Sequence, residues 1–308
     1  MKPLPFPDQA PDYIIDAKGV LVSKKLPDQP FLELWDAIIV DQSLKDRLLA
    51  QAVLNFTLRP KLKRSAAPFH GIILLVGPPG TGKTSLARGL ASRTAETLQD
   101  HGKFRYIEVE PHALASAALG KSQQAVKQLL GDVIGEQASI GPLVVVLDEV
   151  ETLAADRAKL SLEANPVDVH RATDAVLAQL DHLAEQYPRL LFIATSNFAR
   201  AIDSAFVSRA DLVENIGLPS ADACGRILID TAMALAAIYP RLQGIVEEPA
   251  FRQAIQRGVG LDARRLRKSV LAACARDKQT ALDPSRLTGA DILASIEQAQ
   301  QNEAEVNR

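Results

Sequence analysis

Cysteine is almost missing from these 308 residues: only Cys224 and Cys274 occur, far apart and without metal-ligand spacing. That excludes a disulfide scaffold and suits a reducing cytosol, with each thiol serving as a small apolar core residue. Aromatics are scarce at 5%, while apolar residues as a whole reach 47%. Such an aliphatic composition favours a helix-rich α/β chain, long enough for one large core or a core plus a smaller domain. Charge of neither sign dominates, since 35 basic against 37 acidic side chains leave a net charge of −2. Nothing global therefore points to nucleic acid or an anionic membrane. No apolar run is long enough to span a bilayer, residues 231–239 being the nearest. The proline-rich start, residues 1–7, has no apolar signal core. The reading is of a soluble, cytoplasmic chain.

What the chain does have is Gly77-Pro78-Pro79-Gly80-Thr81-Gly82-Lys83-Thr84. Residues 71–76 before it are apolar with strand character, and Ser85 onward reads as a helix start. Wrapping backbone around phosphate oxygens requires glycines, and a helix N-terminus then faces the negative charge. Lys83 suits the β/γ-phosphates and the Thr84 hydroxyl suits Mg²⁺, with Ser85 counted among the nucleotide-binding residues. The bare motif arises by chance on the order of once per hundred chains of this length, and its flanks lower that rate. The segment predicts nucleoside triphosphate binding.

Around this loop, strands and helices alternate. Apolar runs at 71–76, 104–109, 143–147, 190–194 and, more weakly, 212–216 predict five strands. Three are unbroken, as strands buried on both faces of a parallel sheet require. Ahead of them, residues 1–30 read as an extended arm in which 13–15 and 20–22 could form a hairpin. An amphipathic helix follows from Ser43 to Phe56, and 59–64 reads as a solvated basic loop. Beyond residue 218 the pattern is helical throughout, at 220–239, 248–257, 262–278 and 288–301. The expected division is an arm at 1–30, an α/β domain at 31–218 and a small helical domain at 219–308.

The third parallel strand runs into Asp148-Glu149. At the carboxyl edge of a doubly wound sheet such a pair lies beside the phosphate loop. Asp148 then holds the Mg²⁺ shell and Glu149 polarises the attacking water; a helix-terminal acidic pair is the plainer alternative. The fourth strand ends in Ala194-Thr195-Ser196-Asn197, where Asn197 can position that water, although Ser196-Asn197 also suits a helix cap. Arg209 follows a short helix at the domain edge. An arginine there could stabilise charge in a neighbouring subunit's site, which would make hydrolysis depend on a ring. Its plain alternative is a surface pair with Asp203 or Asp211, and Arg200 is a weaker competitor. Arg264, in a basic first helical turn that invites an anion, is a candidate sensor of the γ-phosphate.

In this order the motifs resemble an AAA+ ATPase: a five-stranded parallel sheet sandwiched by helices, followed by a small all-helical lid. The segments 148–153, 165–171, 175–181 and 205–211 are similar to one branch, the pachytene-checkpoint or thyroid-hormone-receptor-interactor family. Leu34-Trp35, Val40-Asp41 and 44–49 extend the similarity, so that it runs from residue 31 to residue 300. The resemblance implies a homohexameric ring that uses ATP and Mg²⁺ to unfold part of a HORMA-domain protein, converting a closed conformer to an open one. It carries the roles above onto Lys83, Thr84, Asp148, Glu149, Asn197, Arg209 and Arg264, and sets Ile39 and Val40 beside the adenine.

Three departures qualify it. Only residues 1–30 precede the module, which matches the compact bacterial members. Those accompany HORMA proteins, and with them nucleotidyltransferase-type enzymes, in second-messenger defence systems. The central-pore stretch 116–122 offers Ala117, Ala118 and Leu119 where the family carries a bulky aromatic, and 158–169 is a candidate second pore loop, a flexible surface loop being the plainer alternative. The Ser-Gly before the lid arginine is Asp262-Ala263 here, and Arg265 is its neighbouring rival. The alternative function is a DNA-processing AAA+ ATPase, supported by the basic clusters at 59–64 and 264–268 but not by the net charge.

Overall fold

The computed structural model describes residues 15–63, 65–66, 68–110, 122–152, 154, 166–198 and 201–306. They form two compact units. One runs to Ala37 and includes Ser43–Val76 and Thr84–Asn215; the other holds Ile38–Gln42, Gly77–Lys83 and Ile216 onward.

The first unit is built on a sheet of β1 (Val20–Leu26), β2 (Ile72–Val76), β3 (Phe104–Val109), β4 (Leu143–Leu147), β5 (Leu190–Ser196) and β6 (Leu212–Asn215), ordered β1-β3-β4-β5-β2-β6. The last five in that order are parallel. They are the five strands that the apolar runs predict, and β2, β4 and β5 are buried at every position. The sixth strand departs from expectation. Residues 13 and 14, in the other arm of the expected hairpin, lie outside the described residues, and residues 20–26 lie antiparallel against β3, with Leu26 opposite Phe104 and Val20 opposite Val109. Only long-range register could reveal this, because Val-Leu-Val-Ser-Lys-Lys-Leu is half exposed and gives an edge-strand pattern.

Helices cover both faces. α1 (Gln29–Ala37) and α2 (Gln42–Thr57) meet the face of β3 that bears Phe104 and Tyr106: Phe31 stacks edge-on to Tyr106 at 5.0 Å, and Phe56 to Phe104 at 4.8 Å. α3 (Lys83–Thr97) passes so close to α1 that a Cβ on Gly89 would lie 2.8 Å from that of Trp35. On the opposite face Ile107, Val109, Val145 and Phe192 pack with Leu130, Ile134, Leu180 and Leu183. Leu130 and Ile134 come from a π-helical stretch, Lys127–Ile134, between α4 (Ser122–Val126) and α5 (Gly135–Ile140); Leu180 and Leu183 come from α6 (Pro166–Gln186).

Two buried polar groups within this unit correct the sequence reading. Glu108, in a run read as apolar, is 1% exposed; it accepts bonds from Arg88 at 2.9 and 2.6 Å and from the Tyr106 hydroxyl at 2.7 Å. Hydrogen bonding to Glu108 holds the Arg88 guanidinium charged far above its ordinary range, and burial pushes the Tyr106 phenol up. Arg59, expected in a solvated loop, is buried; it donates to Leu190 O at 2.6 Å, Ala184 O at 2.8 Å and Asn55 Oδ1 at 3.0 Å. Main-chain carbonyls at the mouth of β5 need a donor, and Arg59 supplies it.

After α7 (Ser204–Val207), the second unit takes over with α8 (Ala221–Ile238), α9 (Pro249–Arg257), α10 (Ala263–Ala273), α11 (Lys278–Leu282) and α12 (Gly289–Val306). Ile227, Phe251, Leu266, Val270, Ile292 and Ile296 make its core. The helix expected over 262–278 stops at Ala273, and a further short helix that was not expected starts at Lys278, where the Asp277 side chain accepts from the N–H groups of Gln279 and Thr280. Cys224 lies in this core, and burial raises both thiols above their ordinary pKa. Among the described residues no helix is long and apolar enough to cross a membrane.

Candidate active site

In the first unit the carboxyl ends of β4 and β5 bring four sequence-predicted residues together. Thr84, in the first turn of α3, donates its hydroxyl to Asp148 Oδ1 at 2.9 Å, with Oδ2 at 3.1 Å. Thr195, the last-but-one residue of β5, also donates to Asp148 Oδ1, and its own oxygen accepts from the Glu149 N–H at 3.2 Å. Two hydroxyls and a carboxylate converging on one point are the hard oxygen donors that Mg²⁺ prefers. The set fits the ion, with Thr84 and Asp148 as the residues that would hold it.

Glu149 has a backbone φ of +51°, and among the described residues it is the one non-glycine with a positive value. A side chain in this left-handed region carries a strain of about 1–3 kcal/mol. The fold fixes it there: its N–H is tied to Thr195, and its carbonyl accepts from the Thr152 N–H at 3.0 Å and the Thr152 hydroxyl at 2.9 Å. The turn aims the carboxylate at Asn197, whose Nδ2 donates to Glu149 Oε1 at 3.2 Å. The Asn197 main-chain N–H donates to Glu151 Oε1 at 3.1 Å. A carboxylate and an amide brought this close can together polarise and orient one water. Thr195 and Glu151 were not assigned from the sequence. The available signal for Thr195 was a polar residue inside an otherwise apolar strand; Glu151 gave none.

Arg209 makes a two-point pair with Asp181 on α6, at 2.9 and 2.7 Å, and also donates to Ala205 O at 2.7 Å. Hydrogen bonding to Asp181 raises its pKa further. Asp211, one of the two partners weighed for it, instead accepts from the N–H groups of His70, Gly71 and Ile72, fixing the start of β2. Asp203, the other, caps α7 through the Ala205 N–H at 2.8 Å.

In the second unit, Gly77–Lys83 forms a loop with left-handed residues at Gly80 (φ +81°) and Gly82 (φ +91°). A Cβ on Gly80 would strike the Asp262 carboxylate, and one on Gly82 would lie 2.7 Å from Ile38 Cδ1, so only glycine fits. Lys83, 6% exposed, folds back to donate to Gly77 O and Pro78 O at 2.8 Å each. Thr81 is buried too, its hydroxyl on Pro78 O at 2.9 Å. A buried ammonium inside a glycine loop suits an anion of high charge. Ile39 packs on the helical core, and Ile38, which the sequence reading did not name, touches the loop. The main-chain N–H of Arg264 donates to Gly80 O at 3.3 Å, and its side chain is exposed. Its rival Arg265 is engaged with Asp262 at 3.4 Å and Glu303 at 2.5 Å. Ala117, Ala118, Leu119, Arg200 and most of 158–169 lie outside the described residues.

Comparison with known proteins agrees with this chemistry. Residues 73–218 match the model of the ATPase family associated with various cellular activities (AAA). The chain is 56% identical to CD-NTase-associated protein 6 of Pseudomonas aeruginosa, over 92% of this chain and 93% of that protein. It is 31% identical to the pachytene checkpoint protein 2 homolog of Danio rerio, over 89% of this chain and 69% of the relative. Its fold matches a chain in the structure of the E. coli MS115-1 HORMA:CdnC:Trip13 complex with a TM-score of 0.71 at 16% identity, covering 91% of this chain and 95% of that one. The chain is an ATPase of the AAA family and belongs to the branch that includes CD-NTase-associated protein 6 and the pachytene checkpoint protein 2 homologues.

Proposed function

We propose that this ATPase works as a homohexameric ring that remodels a HORMA-domain protein, partly unfolding it so that bound partners are released. The setting proposed for it is a bacterial second-messenger defence system that includes a nucleotidyltransferase-type enzyme. The observation that carries the reading is 56% identity to a CD-NTase-associated protein across nearly the full length of both chains. The HORMA:CdnC:Trip13 complex, a relative in fold, supports the choice of substrate.

ATP supplies the free energy, and Mg²⁺ bound with it screens the phosphate charge. This chain's residues divide the rest of the work. Gly77, Gly80, Thr81, Gly82 and Ser85 receive the phosphates through main-chain and hydroxyl donors, Pro78 and Pro79 shape the loop without an N–H to give, and the Lys83 ammonium exchanges its two carbonyl partners for phosphate oxygens. Thr84 and Asp148 would hold the ion. Glu149 takes up the developing proton of the attacking water while Asn197 keeps that water in line. Arg209 leaves Asp181 to reach the site of a neighbouring subunit. Arg264, whose side chain is exposed, senses the γ-phosphate, and Ile39 and Val40 flank the adenine. Ala117, Ala118 and Leu119 are the proposed substrate contact in the pore, and the cytoplasm the proposed place of action.

The DNA-processing reading loses ground because Arg59 and Arg265, one from each basic cluster, are engaged within the chain. Capture with Glu149→Gln, which keeps ATP bound, decides between the two. Mass spectrometry of the trapped complex is expected to find a HORMA-fold protein. Nucleic acid with no such protein overturns the proposal.

A further inference from the structure

Asn197 is held by carboxylates from two sides, its side chain by Glu149 and its main chain by Glu151. Glu151 belongs to the short 3-10 turn Val150–Thr152 that directly follows Glu149. Its Oε1 makes a tie between the β4 turn and the end of β5, while its Oε2 is buried and accepts no hydrogen bond among the described residues. A buried acceptor left without a donor costs on the order of 1–3 kcal/mol. Satisfying one main-chain N–H does not require that expense, because a serine or asparagine side chain, or water, can do it. What the carboxylate does accomplish is to fix the Asn197 backbone relative to the turn that carries Glu149.

We propose that Glu151 is a positioning residue for ATP hydrolysis: anchoring the main chain of Asn197 sets its amide at the separation from Glu149 at which the attacking water is held. The inference rests on the reading of Glu149 and Asn197 as the hydrolytic pair. A displacement of about 1 Å at such a pair is enough to cost about a hundredfold in rate. The anchoring needs only the accepting oxygen, so an amide of the same length should serve. A side chain one methylene shorter should not.

The test measures steady-state phosphate release and ATP affinity on the full chain. Glu151→Ala and Glu151→Asp are expected to lower kcat about 10- to 100-fold with ATP affinity unchanged, and Glu151→Gln to restore most of the turnover. In an Asn197→Ala background the Glu151→Ala change should cost nothing more, because it acts through Asn197. Wild-type turnover in both Glu151→Ala and Glu151→Asp overturns the proposal. So does a loss in Glu151→Ala that adds in full to that of Asn197→Ala, or a parallel loss of ATP affinity. Should the alanine variant fail to fold, the contrast between Asp and Gln decides alone, and equal turnover in the two overturns the proposal. Glu149→Gln is measured alongside. If it hydrolyses ATP normally the hydrolytic pair itself is misassigned, whereas an inactive Glu149→Gln beside a normal Glu151→Ala removes only the positioning role.

Discussion

Glu149 combines a chemical task with a backbone conformation that glutamate disfavours. Replacing it with glutamine keeps the shape and removes the base, so phosphate release should fall about 10²- to 10⁴-fold while ATP still binds, as a nucleotide-binding titration would report. The strain makes a separate and stranger prediction. At an ordinary turn position alanine and glycine differ little or favour alanine, but here the φ of +51° penalises any Cβ. Glu149→Gly should therefore be more stable than Glu149→Ala by about 1 kcal/mol, read as a shift in denaturant midpoint. The reverse order would mean that Glu149 does not hold this conformation in solution. The sequence disclosed Asp148 and Glu149 because a strand of five apolar residues ends at them. It did not disclose Thr195 or Glu151, because each looks like a local polar residue until the ends of β4 and β5 are set side by side.

Elements were legible to the extent that burial on both faces wrote itself into the chain. Strands β2, β4 and β5 are unbroken apolar runs because helices cover them on both sides, as in a parallel sheet buried on both faces. Strand β1 was not legible as part of the sheet, since Lys24, which covers the Phe31 ring, and the exposed Lys25 break its apolar pattern and only its register with β3 selects it. Helix α10 was read as running to 278 and α11 was not read at all, because the cap at Asp277 that starts α11 does not show in the continuing helical pattern. Arg59 is the clearest case of composition misleading: in a cluster of cations it is the one that ties α2 to β5. Arg59→Ala takes the donor from the Ala184 carbonyl and leaves that of Leu190 only its longer bond from Asn55 at 3.3 Å; it should destabilise the first unit by about 1–3 kcal/mol, seen as a lowered unfolding midpoint with ATP absent. No change in midpoint would show that water replaces the guanidinium without loss.

For the whole molecule, the two-point pair of Arg209 with Asp181 means that a lone subunit keeps this cation for itself. If the arginine serves a neighbour, Arg209→Ala and Glu149→Gln should each be inactive alone, yet a mixture should regain part of the turnover. In a mixed ring, some interfaces join an intact Glu149 to an intact Arg209. A mixture as inactive as its components would place the arginine's role within its own subunit. The strand order has another consequence, for the time course of synthesis. Strand β2, which leads into the phosphate loop, finds its sheet partners only when Ile72 meets Phe192 and Ile73 meets Leu212. Most of the first unit must leave the ribosome before that strand has a neighbour, so the loop stays without its frame through much of translation. Contacts so distant in sequence also slow folding, and the exposed apolar strand is a natural client for chaperones during the wait. A nascent chain stalled before β5 should fail to retain ATP, and one released past β6 should be the first that can.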